Sequence, residues 1–128
     1  IDHHDHDIQS DLSPPVKMAV GYIENNYEND FLVEDLAAKA NLSCGYFHEL
    51  FQKETGITPA QHQLNLRLRA GKILLFRTDQ SITSIAMDVG FSSSQYFATV
   101  FKRMVGMTPR DYRMLRIDNC DSFSAFRA

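Results

Sequence analysis

A chain of 128 residues, 44% hydrophobic and 23% charged, is long enough for one domain with a real core. It contains no apolar run near the roughly 20 residues a membrane helix needs. Its two cysteines, Cys44 and Cys120, lack metal or redox spacing, which excludes a disulfide framework and fits a reducing cytoplasm. The net charge of −3 is unevenly spread: residues 1–42 carry two Lys/Arg against nine Asp/Glu, residues 43–116 ten against five, and residues 117–128 one against two. A local basic region, not the total, decides whether polyanions are attracted.

The chain opens on Ile1 with an acidic stretch, IDHHDHDIQSDL, and no basic-then-apolar leader. It reads as a linker or arm over 1–12, and the whole chain as the C-terminal piece of a longer protein. The clustered histidines and aspartates of residues 2–7 are expected to be solvated, with no metal bound. Ser13 before Pro14 and Pro15 marks a helix start. Val16, Val20, Ile23 and Tyr27 then repeat at helical spacing until Asn25, Asn26 and Asn29 break the pattern. A short helix over 33–40 turns Leu36, Ala37 and Ala40 inward, and Asn41 suits a left-handed turn. Ser43 is an N-cap for a helix to about Thr55 with Tyr46, Phe47, Leu50 and Phe51 as its apolar face. Gly56 ends that helix. Thr58, Pro59 and Gln61 form a capping box for a long helix to about Arg77, anchored by Leu64, Leu68, Leu74 and Leu75. Ser81 caps a helix through Val89, and Gly90 turns the chain. One of Ser92, Ser93 or Ser94 caps the next helix, which ends at Val105-Gly106. Thr108-Pro109 opens a last one to about Arg116. No alternating strand is evident. The tail over 117–128 has Phe123 and Phe126 as the residues available to dock on the body.

The informative feature is an internal repeat. YFHELFQKETGITP at 46–59 matches YFATVFKRMVGMTP at 96–109 with an offset of 50 residues and no gap, while LAAKANLS at 36–43 matches IAMDVGFS at 85–92 with an offset of 49. Each copy has a short helix, a small residue (Ala37, Ala86), a turn residue (Asn41, Gly90), a large apolar residue (Leu42, Phe91), a capping serine and a second helix. That is the grammar of a helix-turn-helix. A solenoid of helical hairpins would need three or more units. The expected organisation is an arm over 1–12, a first helix-turn-helix subdomain over 13–57, a linker helix over 58–77, a second subdomain over 78–116 and a tail over 117–128.

RLRAGKILL at 67–75, TDQSITSIAMDVGFSS at 78–93 and YFATVFKRMVGMTPRDYR at 96–113, with the weaker first-half motifs YIENNY, LVEDLAAKANLS and FHELFQKETGITP, resemble the DNA-binding domain of the AraC/XylS family of bacterial regulators over roughly residues 14–116. The resemblance implies an all-α, homeodomain-like fold of about seven helices, with the third and sixth entering DNA major grooves. It implies a bacterial, cytoplasmic transcription regulator, in the activator role, with RNA polymerase as a partner. It also implies an N-terminal effector and dimerisation domain that is missing here. Three positions depart from the family pattern: Gly71 where alanine is usual, at a cost of roughly 1 kcal/mol in helix propensity; Glu49 where a basic residue is common; and Gly45 where a large base-contacting side chain is common.

A helix in the major groove meets base edges with its early exposed residues. In the first unit these are Ser43, Cys44, Gly45, His48, Glu49 and Gln52; in the second, Ser93, Ser94, Gln95, Ala98, Thr99 and Lys102. Gln95 suits adenine, His48 guanine, Glu49 the cytosine amino group, and Thr99 and Ala98 a thymine methyl. Lys53, Lys102, Arg103 and Arg110, with Arg67, Arg69 and Lys72 on the linker helix, are candidates for phosphate contacts; Arg67 is equally suited to buttressing the core. A linker helix of about 19 residues spans roughly 28 Å, against about 34–36 Å between successive major grooves on one DNA face. On an alternative reading only the second unit reads DNA, and the first, with Glu49 and its acidic approach, docks to protein. No cofactor is implied. No nucleophile motif, phosphate loop or paired catalytic carboxylates suggest an enzyme, and His62 is expected to pack or be solvated.

Overall fold

In a computed structural model the chain is described over residues 11–116. The residue 2–7 cluster, Cys120, Phe123 and Phe126 lie outside the described residues. Six helices follow one another: α1 Pro14–Asn26, α2 Val33–Lys39, α3 Cys44–Thr55, α4 Pro59–Arg77, α5 Ile82–Asp88 and α6 Ser94–Val105. Residues 109–116 form a seventh, α7. The described residues contain no strand, so the chain is all-α as expected. They fall into two compact units that divide between Leu66 and Arg67, within α4.

Local chemistry accounts for most boundaries. Ser43 and Ser93 stand before α3 and α6, and their hydroxyl oxygens accept the N–H of Tyr46 at 3.2 Å and of Tyr96 at 3.1 Å. Ser93 is therefore the cap among the three serines. Ser81 does the same for α5, accepting from Ser84 N–H at 3.0 Å. The capping box at α4 is complete: Gln61 N–H donates to Thr58 Oγ1 at 3.1 Å, and Thr58 N–H to Gln61 Oε1 at 2.9 Å. Gly56 and Gly106 close α3 and α6 at φ +84° and +97°, a left-handed conformation that costs glycine nothing and other residues about 1 kcal/mol or more.

Ser13 starts α1 as expected: it is the N-cap residue, and its carbonyl accepts from Lys17 N–H at 2.8 Å. It makes no side-chain cap bond to α1. Its N–H and Oγ–H both donate to Glu54 Oε1, at 2.8 and 3.1 Å, so the chain enters the fold tied to the last turn of α3.

The first unit packs α1, α2 and α3 around Val16, Ala19, Val20, Ile23, Leu36, Ala37, Phe47 and Phe51, with Leu42, Leu50 and Leu66 against them. Gln63 on α4 donates to the carbonyls of Tyr27 at 3.3 Å and Asn29 at 2.8 Å, fixing the loop after α1. His62 sits beside Phe51, ring centroids 6.3 Å apart. Its Nε2 is buried with no hydrogen-bond partner among the described residues. Burial lowers its pKa from the ordinary 6.5, opposed by the charge of Glu24.

The second unit is built on a chain of rings. Phe91 meets Phe97 at 5.0 Å, Phe97 meets Phe101 at 5.5 Å, Phe101 meets Tyr112 at 5.5 Å, and Tyr112 meets Phe76 at 5.2 Å. Leu75, Ile85, Ala86 and Val100 fill the space around them. Gly71 is buried here, and an alanine Cβ at its place would lie 3.1 Å from Cε1 and Cζ of Phe97. The glycine therefore admits the ring close to α4, a packing reason for a residue that propensity alone disfavours. Arg113 closes the end of α4, donating from Nε to Leu75 O and from Nη2 to Thr78 O, each at 3.1 Å. Arg116 adds a bond to Thr78 O at 2.9 Å and an ion pair with Asp79 at 3.2 Å.

Candidate nucleic-acid interface

Each unit contains the same turn. In the first, Asn41 takes φ +57° and Leu42 N–H returns to Ala37 O at 3.0 Å. In the second, Gly90 takes φ +108° and Phe91 N–H returns to Ala86 O at 2.9 Å. This closure satisfies a carbonyl at the end of the shorter helix and delivers Leu42 or Phe91 inward. Phe91 is buried at 2% exposure. The small side chains, Ala37 and Ala86, are both buried, as a close crossing of two helices requires.

The second helix of each turn is buried along one side and open along the other. In α3, Phe47 and Phe51 are fully buried, while Cys44, Gly45, Glu49, Gln52 and Lys53 are exposed and His48 is half-buried. In α6, Phe97, Val100 and Phe101 are buried, while Gln95, Thr99, Lys102 and Arg103 are exposed and Ser94 and Ala98 are half-buried. Residues 45, 48, 49 and 52, and likewise 95, 98, 99 and 102, recur at i, i+3, i+4 and i+7, which places each set on one helix face. Ser43 and Ser93, although exposed, have their oxygens committed to capping and act by holding the first turn in place. Thr99 donates its hydroxyl to Gln95 O at 2.9 Å, so its methyl is the group left for contact. Gly45 has open space where a side chain would stand.

One placement favours one of two expected roles, and another differs from expectation. Arg67 is not on an open face: it is 7% exposed, with its guanidinium carbon 6.0 Å from the centroid of Phe91. Of its two expected roles, buttressing the second unit is the one this burial suits, because stacking on a ring desolvates the cation away from any external phosphate. Tyr46, expected on the apolar face of α3, is 53% exposed instead, and Tyr96 is 51% exposed at the matching place in α6. Arg69 and Arg110 are exposed and Lys72 half-exposed. The capping role of Arg113 has no periodic signal in the sequence, because Leu75 O lies 38 residues and Thr78 O 35 residues before it.

No helix of the described residues is long and apolar enough to cross a membrane. A family model described as a helix-turn-helix domain matches residues 36–114. The transcriptional activator RhaS of Klebsiella pneumoniae is 33% identical over 97 residues, covering 76% of this chain and 35% of that protein. The chain thus spans about a third of the length of the curated relatives it matches. Among solved structures, the C-terminal domain of AraT, a response regulator from Geobacillus stearothermophilus, superimposes with a TM-score of 0.77 at 33% identity, over 83% of this chain and 88% of that one. The DNA-binding domain of AdpA, a global transcriptional factor solved in complex with a target DNA, gives a TM-score of 0.74 at 31% identity, over 80% and 93%.

Proposed function

The chain belongs to the AraC-type helix-turn-helix family, and from that premise we propose that it is a sequence-specific double-stranded-DNA-binding module of a bacterial, cytoplasmic transcription regulator, with α3 and α6 each reading a major groove. The observation that carries this reading is the duplicated open face. Two serine-capped, glycine-closed helices 50 residues apart each present polar side chains opposite a fully buried aromatic side. Gln95, Ala98 and Thr99 supply an amide and two methyl-bearing groups for base edges; His48, Glu49 and Gln52 supply a different set in the first unit. Lys53, Lys102, Arg103 and Arg110 supply phosphate contacts that set affinity and register without reading sequence. In the full-length protein the module works with an upstream effector and dimerisation domain and recruits RNA polymerase as an activator.

Selection from a randomised double-stranded DNA pool, followed by affinity against salt, tests the reading. Two preferred boxes about one helical turn apart, with affinity falling steeply as salt rises, are expected. One box would assign base reading to α6 alone, and no salt-dependent binding would sink the proposal. The second reading, in which α3 docks to a protein, draws on exposed Glu49 in the middle of the α3 face. Glu49→Arg separates the two: it strengthens DNA binding if α3 lies along phosphates and weakens a protein contact if it does not.

A further inference from the structure

The exposed tyrosines are the feature that neither the base-reading faces nor the hydrophobic cores account for. Tyr46 and Tyr96 occupy the third position of α3 and α6. Their backbone N–H groups are used by the fold, donating to Ser43 and Ser93. Their hydroxyls form no hydrogen bond with another described residue. A tyrosine stands half in solvent at the equivalent place of both helices. In the second unit the ring has a partial explanation, standing 5.7 Å from Phe91, but packing explains the ring and not the hydroxyl.

What shares an edge with each tyrosine gives the direction. Seven residues along an α-helix complete two turns to within about 20° and advance about 10.5 Å. Lys53 lies seven residues after Tyr46, and Arg103 seven after Tyr96; both are exposed. Each reading helix therefore has one edge that begins with a neutral hydroxyl donor and ends with a cation. The donor sits in the first helical turn, where the free N–H groups and the helix dipole already favour an anion. The two edges are not equal. Glu49 stands one turn on from Tyr46, whereas Thr99 stands one turn on from Tyr96, so the α6 edge is the better host for a negative ligand.

We propose that Tyr46 and Tyr96 are a matched pair of phosphate-binding residues, their hydroxyls donating to the same DNA strand that Lys53 and Arg103 meet at the other end of each reading helix. This rests on the DNA-binding reading above and adds to it the two residues that set how deep and at what angle each helix enters its groove. They are positioning residues and carry no base preference.

The test is Tyr46→Phe, Tyr96→Phe and the double variant in the full chain, titrated on a selected DNA site and on an unrelated duplex at several salt concentrations. Each single variant is expected to lose about three- to tenfold in affinity, with Tyr96→Phe the larger loss and the double about ten- to a hundredfold, since distant sites add. The loss is expected to be equal on both duplexes and to leave the salt slope unchanged, because a neutral donor releases no counterion. Lys53→Gln and Arg103→Gln, by contrast, are expected to lower that slope by about one each. Unchanged affinity in both tyrosine variants overturns the inference, as does a loss confined to the selected site, which would make the tyrosine a base reader. A loss accompanied by a lower thermal unfolding midpoint overturns it in favour of a structural ring. Failure of the unsubstituted chain to bind any duplex removes the DNA reading and this inference with it; binding with unaltered variants removes only the inference.

Discussion

At the scale of single residues, His62 and Gly45 have opposite problems. His62 buries a nitrogen with nothing to bond, and its pKa is lowered chiefly by burial. Its folded-state pKa thus lies below its unfolded value, so the neutral ring favours folding above about pH 6.5. That contribution is lost as pH falls through 6.5 and levels off below the folded pKa. Thermal unfolding of the chain and of His62→Leu should therefore diverge with pH, the variant gaining relative stability at pH 5.5 over pH 7.5. Gly45 has room and no side chain. Gly45→Gln should raise stability by up to about 1 kcal/mol through helix propensity. It should also add a base preference to the first box, since it reproduces Gln95 of the second copy; a repeated pool selection would show it. Gly45 was legible as a departure from the sequence alone. The buried nitrogen of His62 was not, because burial of one ring atom depends on how Phe51 and α1 close around α4.

At the scale of elements, the helix ends divide into those closed locally and those closed from afar. Ser43, Ser81, Thr58, Gly56 and Gly106 act within a turn of their own position, and all were readable in order along the chain. Ser13 with Glu54 spans 41 residues and Arg113 with Leu75 spans 38. Such closures carry no local pattern, so the sequence shows Ser13 as the start of α1 but not as a tether to α3. Glu54→Ala and Arg113→Ala should each cost about 1–3 kcal/mol, the range for lost hydrogen bonds to charged groups. Chemical denaturation would measure this, and a cost near zero in either variant would mean water replaces the contact freely. Gly71 belongs here too: its place in α4 is intelligible only with Phe97 across from it.

At the scale of the whole molecule, the repeat made the fold legible before any contact was known, because two copies of one pattern are hard to produce by chance. Charge did so less directly: the total of −3 conceals the basic span over 43–116. The exposure of Tyr46 was beyond reach, and the burial of Arg67 was legible only as one of two alternatives, since both turn on which side of a helix meets its neighbours. The two compact units each have their own aromatic core. Phe51→Ala and Phe101→Ala should each cost about 3–5 kcal/mol. Hydrogen exchange should show the first opening α1–α3 while α6 stays protected, and the second the reverse. Simultaneous loss of protection everywhere would show one cooperative unit instead.

The matched ends of α3 and α6 have an engineering consequence. A serine opens each segment, a left-handed glycine shuts it, and a Thr-Pro pair starts the next helix. Residues 43–58 and 93–108 therefore share a serine cap, a left-handed glycine stop and buried rings in register, although the serine caps differ in φ (−67° and −155°) and the second copy enters through one extra residue, Ser92. Transplanting 93–108 over 43–58 should yield a soluble, helical chain, and that chain should select a tandem repeat of the box read by α6. The module would then be a two-slot reader whose slots accept each other's parts, so a lineage could rewrite one half of its target without relearning how to fold.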